Sequence, residues 1–181
     1  MDELTLRRAE PADLDRIMEL ERLGFAAANR ESRAVYAQRM AAFADGSLVA
    51  CREREVVGCF FAEIWRDVAH FDAEQFALGH DILARHDPLR GDTLYVSSTT
   101  IDPILRGGGV GARLFKSCLG RVLGQFAQLR SVVLLVNEHW RPARAIYVAA
   151  GFEEVARLAG FFSPDATARE DGIVMRRPVL R

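Results

Sequence analysis

The stretch Ile101-Asp102-Pro103-Ile104-Leu105-Arg106-Gly107-Gly108-Gly109-Val110-Gly111-Ala112 decides how this sequence is read. Before it, residues 93–101 run Thr-Leu-Tyr-Val-Ser-Ser-Thr-Thr-Ile, rich in β-branched side chains, and predict a strand stopped by Asp102-Pro103. After it, Val110, Leu114, Phe115, Cys118 and Val122 fall at helical spacing and predict an amphipathic helix. The stretch is therefore a glycine-rich turn from strand to helix. Such a turn lets backbone approach a ligand closely. The first N–H groups of the helix have no intrahelical acceptor, and the helix dipole favours an anion beside them. A phosphate-bearing ligand is the expected partner, with Arg106 adding a charge-assisted contact.

Two familiar phosphate-binding patterns fit poorly. No Lys-Ser or Lys-Thr pair follows the glycines, so the Walker pattern fails. Gly107-x-Gly109-x-x-Ala112 nominally satisfies the Rossmann pattern, but it lies mid-chain and Glu138 is too distant to serve as its acidic partner. A nucleotide-dependent oxidoreductase ranks far behind for that reason.

Outward from the turn, the elements alternate. On the N-terminal side, residues 4–8 predict a strand, Pro11 suits the first turn of a helix, and Ser32 suits the cap of a second. Residues 47–52 and 56–65 predict a hairpin about the turn Glu53-Arg54-Glu55. Residues 66–92 are charge-rich and carry three histidines, and they predict an insertion over one end of the sheet. On the C-terminal side, residues 132–136 predict a strand covered on both faces. Residues 142–150 predict a helix closed by Gly151, residues 152–158 and 172–177 the last strands, and residues 160–171 a loop between them. This order describes one mixed α/β layer domain over residues 1–181.

Bulk properties narrow the function. The 24 Lys and Arg residues against 25 Asp and Glu argue against a nucleic-acid binder working through a broad basic face. Cys51, Cys59 and Cys118 are too few and too irregular for a disulfide framework and read as small buried hydrophobes. No metal-ligand spacing is present, so no metal is expected. No basic-then-apolar leader and no membrane-length apolar run is seen, so the expected location is the cytoplasm, away from membranes.

Arg106-x-x-Gly109-x-Gly111 after Ile101-x-Pro103 resembles the acetyl-CoA signature of the GNAT superfamily of N-acetyltransferases. Ala143-x-x-x-Tyr147-x-x-x-Gly151-Phe152 resembles its second cofactor motif, and Gly160-Phe161-Phe162 with Asp171-Gly172-Ile173-Val174-Met175 its C-terminal strands. The resemblance covers nearly the whole chain. It implies an α/β (α+β) fold with a central, mostly antiparallel mixed sheet of about seven strands, flanked by helices and splayed at the acetyl-CoA site. A weaker likeness to the arylalkylamine N-acetyltransferases rests on residues 18–25 and 48–65. Where those enzymes carry paired histidines on the strand before the turn, this chain has Tyr95 and Ser97, so their proton relay does not carry over.

The resemblance implies direct attack of a primary amine, small or peptidic, on the thioester of acetyl-CoA. It assigns Arg106, Gly107, Gly108, Gly109, Val110, Gly111 and Ala112 to the pyrophosphate, and Thr99 and Ile101 to the pantetheine arm through backbone groups. Tyr147 matches the superfamily's usual general acid toward the departing sulfur; its other reading is a core aromatic. Superfamily members often carry Asn seven residues before that tyrosine. Trp140 stands there, either packing on the coenzyme or partly buried in a structural role, and Asn137, three residues earlier, either substitutes or caps the strand end. Because an alkylamine of pKa about 10.4 is protonated at neutral pH, a base is needed. Glu63, raised by desolvation, is the first candidate, with Ser97 positioning a water. His70, His80, His86 and Glu138 are the others. The insertion at 66–92 is expected to form a lid that screens amines. The competing expectation is an acyl-CoA-binding regulatory module without catalysis. Homodimers are common among similar proteins.

Overall fold

A computed structural model describes residues 4–66, 70–165 and 167–180. Seven strands form one sheet in the order β1-β2-β3-β4-β5-β7-β6. They are β1 (Thr5–Arg8), β2 (Ser47–Arg52), β3 (Glu55–Trp65), β4 (Thr93–Ile101), β5 (Ser131–Asn137), β6 (Glu153–Phe162) and β7 (Glu170–Pro178). Every neighbouring pair is antiparallel except β4 and β5, which are parallel. The helices are α1 (Leu14–Gly24), α2 (Arg33–Ala42), α3 (Ile82–Arg85), α4 (Val110–Gln125) and α5 (Arg141–Ala149).

Local chemistry sets the helix ends. A 3-10 turn at Pro11–Asp13 leads into α1, and the Asp13 carboxylate accepts from the Glu10 N–H and two N–H groups of Arg7. The Ser32 hydroxyl accepts from the Val35 N–H at 3.3 Å, the expected cap of α2. Two corrections concern element lengths. The expected loop at 160–171 is shorter, because β6 runs on to Phe162 and β7 starts at Glu170, held by the Phe162–Glu170 pairing across a register shift. Between β3 and β4 the expected helix is reduced to a 3-10 turn at Glu74–Phe76 and the single turn of α3.

The sheet is covered on both faces. Leu114, Phe115, Cys118, Leu119 and Val122 form the buried stripe of α4 and pack on Phe60, Val96, Leu134 and Phe152. On the other face, Leu14, Ile17 and Leu20 of α1 and Tyr36 and Met40 of α2 pack on Val49, Cys59 and Phe61. This two-sided cover explains why β3 reads as a nearly unbroken apolar run from Val56 to Trp65. The single carboxylate within that run, Glu63, is wholly buried. The three cysteines are buried and unpaired, and burial pushes the Cys59 and Cys118 thiols up to about 12.

Candidate active site

The site is created by an interruption in the sheet. β4 and β5 pair only from Thr93–Ser131 to Val96–Leu134. Beyond that point β4 stays with β3 as far as Ile101, while β5 stays with β7 as far as Asn137. A wedge opens between the two central strands. Its apex coincides with an irregularity: Ala62 pairs with Val96 and Phe61 with Ser98, so Ser97 is an extra residue on β4. A bulge of this kind bends its strand and breaks pairing. The Ser97 hydroxyl donates to the Phe61 carbonyl at 3.2 Å, which holds the bulge in place.

The glycine-rich turn stands at the open end of β4. Pro103–Leu105 forms a 3-10 turn capped by the Asp102 carboxylate, which accepts from the Ile104 N–H at 3.0 Å and pairs with Arg16 of α1. Gly107 and Gly109 then take φ of 85° and 69°, the left-handed region that side chains resist. Gly109 is the N-cap of α4. A Cβ built on Gly107 or Gly109 meets no heavy atom within 4 Å, so the space over the loop is open. No backbone hydrogen bond uses the N–H groups of Gly107, Gly108 or Gly109 among the described residues. Arg106 is exposed beside them; its backbone N–H donates to the Pro103 carbonyl at 3.1 Å, and its guanidinium makes no hydrogen bond or ion pair among the described residues. The donor set and the room fit a diphosphate.

Further along the wedge, the Thr99 hydroxyl is buried without a hydrogen-bond partner among the described residues. Tyr147 of α5 lies against Phe115 of α4 with ring centroids 5.0 Å apart. Its hydroxyl also has no protein partner among the described residues, and burial pushes its pKa up to about 12.

Two expected site residues are engaged elsewhere. Glu63 was expected to be raised by desolvation. Instead its carboxylate lies below the usual range. Burial pushes it up, but the His80 contact at 2.9 Å, the Arg39 guanidinium and the Trp65 indole N–H outweigh that. It is the ionised centre of a buried network. Asn137 is buried, donates to the Glu170 carboxylate at 2.6 Å and accepts from the His139 N–H at 2.8 Å. Its amide serves the β5–β7 junction and is not offered to the wedge. Glu138 accepts from the Asp171 N–H and pairs with Arg157, which hold it low as well. His86 accepts at Nδ1 from the Ile64 N–H, and burial lowers it. The sequence-adjacent pairs His80-Asp81 and His86-Asp87 are not dyads: Asp81 caps α3 and Asp87 pairs with Arg66.

Sequence reasoning missed an aromatic arch. Trp140 sits 5.2 Å from Phe25 at the end of α1 and 5.2 Å from Phe162 at the end of β6. The Ser163 N–H donates to the Asn29 side chain at 3.2 Å, tying the same two segments. These groups come from three distant parts of the chain and span the two halves of the sheet. Only the aromatic at position 140, where a polar residue was expected, hinted at it.

With this geometry in view, the comparisons are informative. The profile of the acetyltransferase (GNAT) family matches residues 14–152. The chain belongs to that family. No curated protein matches the sequence at a significant level. Among solved structures, a GNAT-like decarboxylase, GphF, in complex with isobutyryl-CoA is similar over 96% of this chain and 98% of its own, with 21% identity and a TM-score of 0.79. The loading GNATL domain of CurA from Lyngbya majuscula covers 97% and 98%, with 16% identity and a TM-score of 0.81. A GNAT phosphinothricin acetyltransferase from Sinorhizobium meliloti in complex with AcCoA covers 99% and 89%, with 24% identity and a TM-score of 0.69. These likenesses establish the GNAT fold for this family member. Among the described residues no helix is long and apolar enough to cross a membrane.

Proposed function

We propose that the protein transfers the acetyl group of acetyl-CoA to a primary amine by direct attack. The observation that carries this reading is the meeting of three unspent groups along one wedge. They are the open turn at the α4 N-terminus, the unpartnered Thr99 hydroxyl and the unpartnered Tyr147 hydroxyl. Arg106 and the backbone of residues 107–112 hold the diphosphate of the coenzyme. The free edge of β4 at Thr99 and Ile101 pairs with its pantetheine arm. Backbone dipoles there polarise the thioester carbonyl. Tyr147 protonates the leaving sulfur, and its raised pKa keeps the phenol protonated across the working range. Ser97, at the apex, keeps its lone pairs free to accept from a water. The segment at 66–92, fixed by His80 to the floor of β3, screens the acceptor.

Titration with acetyl-CoA by calorimetry, followed by thiol release over a panel of amines and peptides, tests the proposal. Micromolar binding, about -8 kcal/mol, with amine-dependent release supports it. Binding without release on any amine replaces it with a regulatory acyl-CoA module. No binding overturns it. A second reading, decarboxylation of an acyl-CoA, comes from GphF, a GNAT-like decarboxylase to which this chain is similar over 96% of its length. Carbon dioxide release from malonyl-CoA without an amine distinguishes it.

A further inference from the structure

The proposed reaction needs a proton acceptor, and Glu63 is committed to an ion-pair network. A different buried carboxylate lies on the same face of the sheet. Glu21, on the last turn of α1, is 3% exposed. Its Oε2 is 2.7 Å from the Tyr36 hydroxyl, and the same hydroxyl is 3.2 Å from Ser98 Oγ. Its Oε1 accepts from the Glu31 N–H at 2.8 Å. Tyr36 has one hydroxyl proton, and an ionised carboxylate can only accept. With Tyr36 donating to Glu21, the Ser98 hydroxyl donates to Tyr36. The chain therefore has a direction, from Ser98 inward to Glu21.

Its outer end lies at the wedge. Ser98 follows the bulge at Ser97, two positions past Val96 where β4 and β5 part. The next residue on that face, Thr100, lies under the end of α1: a Cβ on Gly24 would come within 3.1 Å of its Cγ2. Phe25, the following residue, belongs to the aromatic arch.

We propose that Glu21 is the proton acceptor for the incoming amine, reached through the hydroxyls of Ser98 and Tyr36. This rests on the acetyl-transfer reading. An ammonium proton passes to Ser98 Oγ, the Ser98 proton to Tyr36 Oη, and the Tyr36 proton to Glu21 Oε2. The amine is left neutral and nucleophilic. Of the two protons the nitrogen loses, this is the first; the second ends on the coenzyme sulfur, so charge and atoms balance. Ser98 is the residue that touches substrate, and Tyr36 and Glu21 act through it.

The groups facing Glu21 suit the role. Burial raises its pKa, and Glu31 from the α1–α2 segment adds to that. Arg39 and Tyr36 from α2 and the Glu31 N–H oppose it. Cys59 of β3 faces the same site and is held protonated. Burial lifts Tyr36 well above its ordinary value, so it relays as a neutral hydroxyl. A carboxylate raised toward neutrality accepts and returns a proton more readily than the low-lying Glu63.

The test compares wild type with Tyr36→Phe, Ser98→Ala and Glu21→Gln. Acetyl-CoA affinity and amine-dependent thiol release are measured from pH 6 to 10. The expected result is an unchanged acetyl-CoA affinity and a kcat/KM for the amine lowered by about 100-fold near neutrality. The deficit closes toward the amine pKa of about 10.4, where no proton need be removed. A structural role would not produce that convergence. Should Tyr36→Phe fold poorly, Ser98→Ala carries the same readout with the loss of a single hydroxyl at a buried position. Wild-type turnover with variant profiles parallel to it at every pH overturns the relay alone. Wild type that binds acetyl-CoA and acetylates no amine overturns the acetyl-transfer reading and the relay together.

Discussion

Val96 of β4 and Leu134 of β5 are the last residues at which the two central strands of the sheet pair. Beyond them each strand keeps its outer neighbour and loses its inner one. A backbone edge so exposed must be satisfied by something other than sheet. The free edge of β4 faces this gap and runs on to the turn that starts α4, and the chemistry proposed above follows from it. Five substitutions test the surroundings of the gap.

Gly109→Ala places a side chain at φ 69°, which costs about 1 kcal/mol of strain and intrudes on the open space over the turn. Affinity for acetyl-CoA is expected to fall about tenfold or more, measured by calorimetry. Arg106→Ala, at an exposed position, is expected to weaken the same binding by a similar factor with no change in Tm. Its loss should shrink as salt is raised, because an exposed cation-to-phosphate contact is screened.

Tyr147→Phe removes a hydroxyl that bonds to no described residue, so stability should change by less than about 0.5 kcal/mol. Turnover should fall about 10- to 100-fold with acetyl-CoA affinity retained. With the phenol pushed up to about 12, the wild-type rate should show no basic limb from this group below about pH 11. A full-rate Tyr147→Phe variant would remove the residue from the mechanism.

Glu63→Gln leaves Arg39 and His80 facing an uncharged partner in a buried setting, at a cost of about 3 kcal/mol. The folded-state pKa of Glu63 lies below its ordinary 4.5. Its stabilisation is therefore present above that value and is lost as pH falls through the lower folded value. Urea midpoints from pH 7 down to 3 should decline less steeply in the variant over the acid range. A steeper decline would contradict the assignment.

Trp140→Ala deletes both ring contacts of the arch. The expected cost is about 2 kcal/mol, less than for a fully buried tryptophan because the ring is only half-buried. The KM for the amine should rise more than the Kd for acetyl-CoA, since the arch ties the ends of α1 and β6 to the start of α5 and includes none of the turn residues 106–112. Trp140→Phe should restore most of both.

Much of this was legible in the sequence. The β-branched run at 93–101, the glycines at 107, 109 and 111, and the apolar spacing from Leu114 to Val122 each report local preference. Local preference sets these three elements to within a residue or two. The places of Tyr147 on α5 and of Arg106 before α4 were legible for the same reason: each sits a fixed number of residues from its own helix terminus. The roles of Glu63 and Asn137 were not. A carboxylate's chemistry is set by what surrounds it, and His80, Arg39 and Trp65 reach Glu63 from three separate elements. The bulge at Ser97, the joining of Phe25, Trp140 and Phe162, and the chain from Ser98 through Tyr36 to Glu21 belong to the same class. By itself the sequence determined the order of the elements and the glycine-rich turn, because these depend on neighbours along the chain. Only the tertiary structure decided which buried carboxylate is locked and which is linked to the wedge. That outcome depends on desolvation and on donors supplied by residues far apart in sequence.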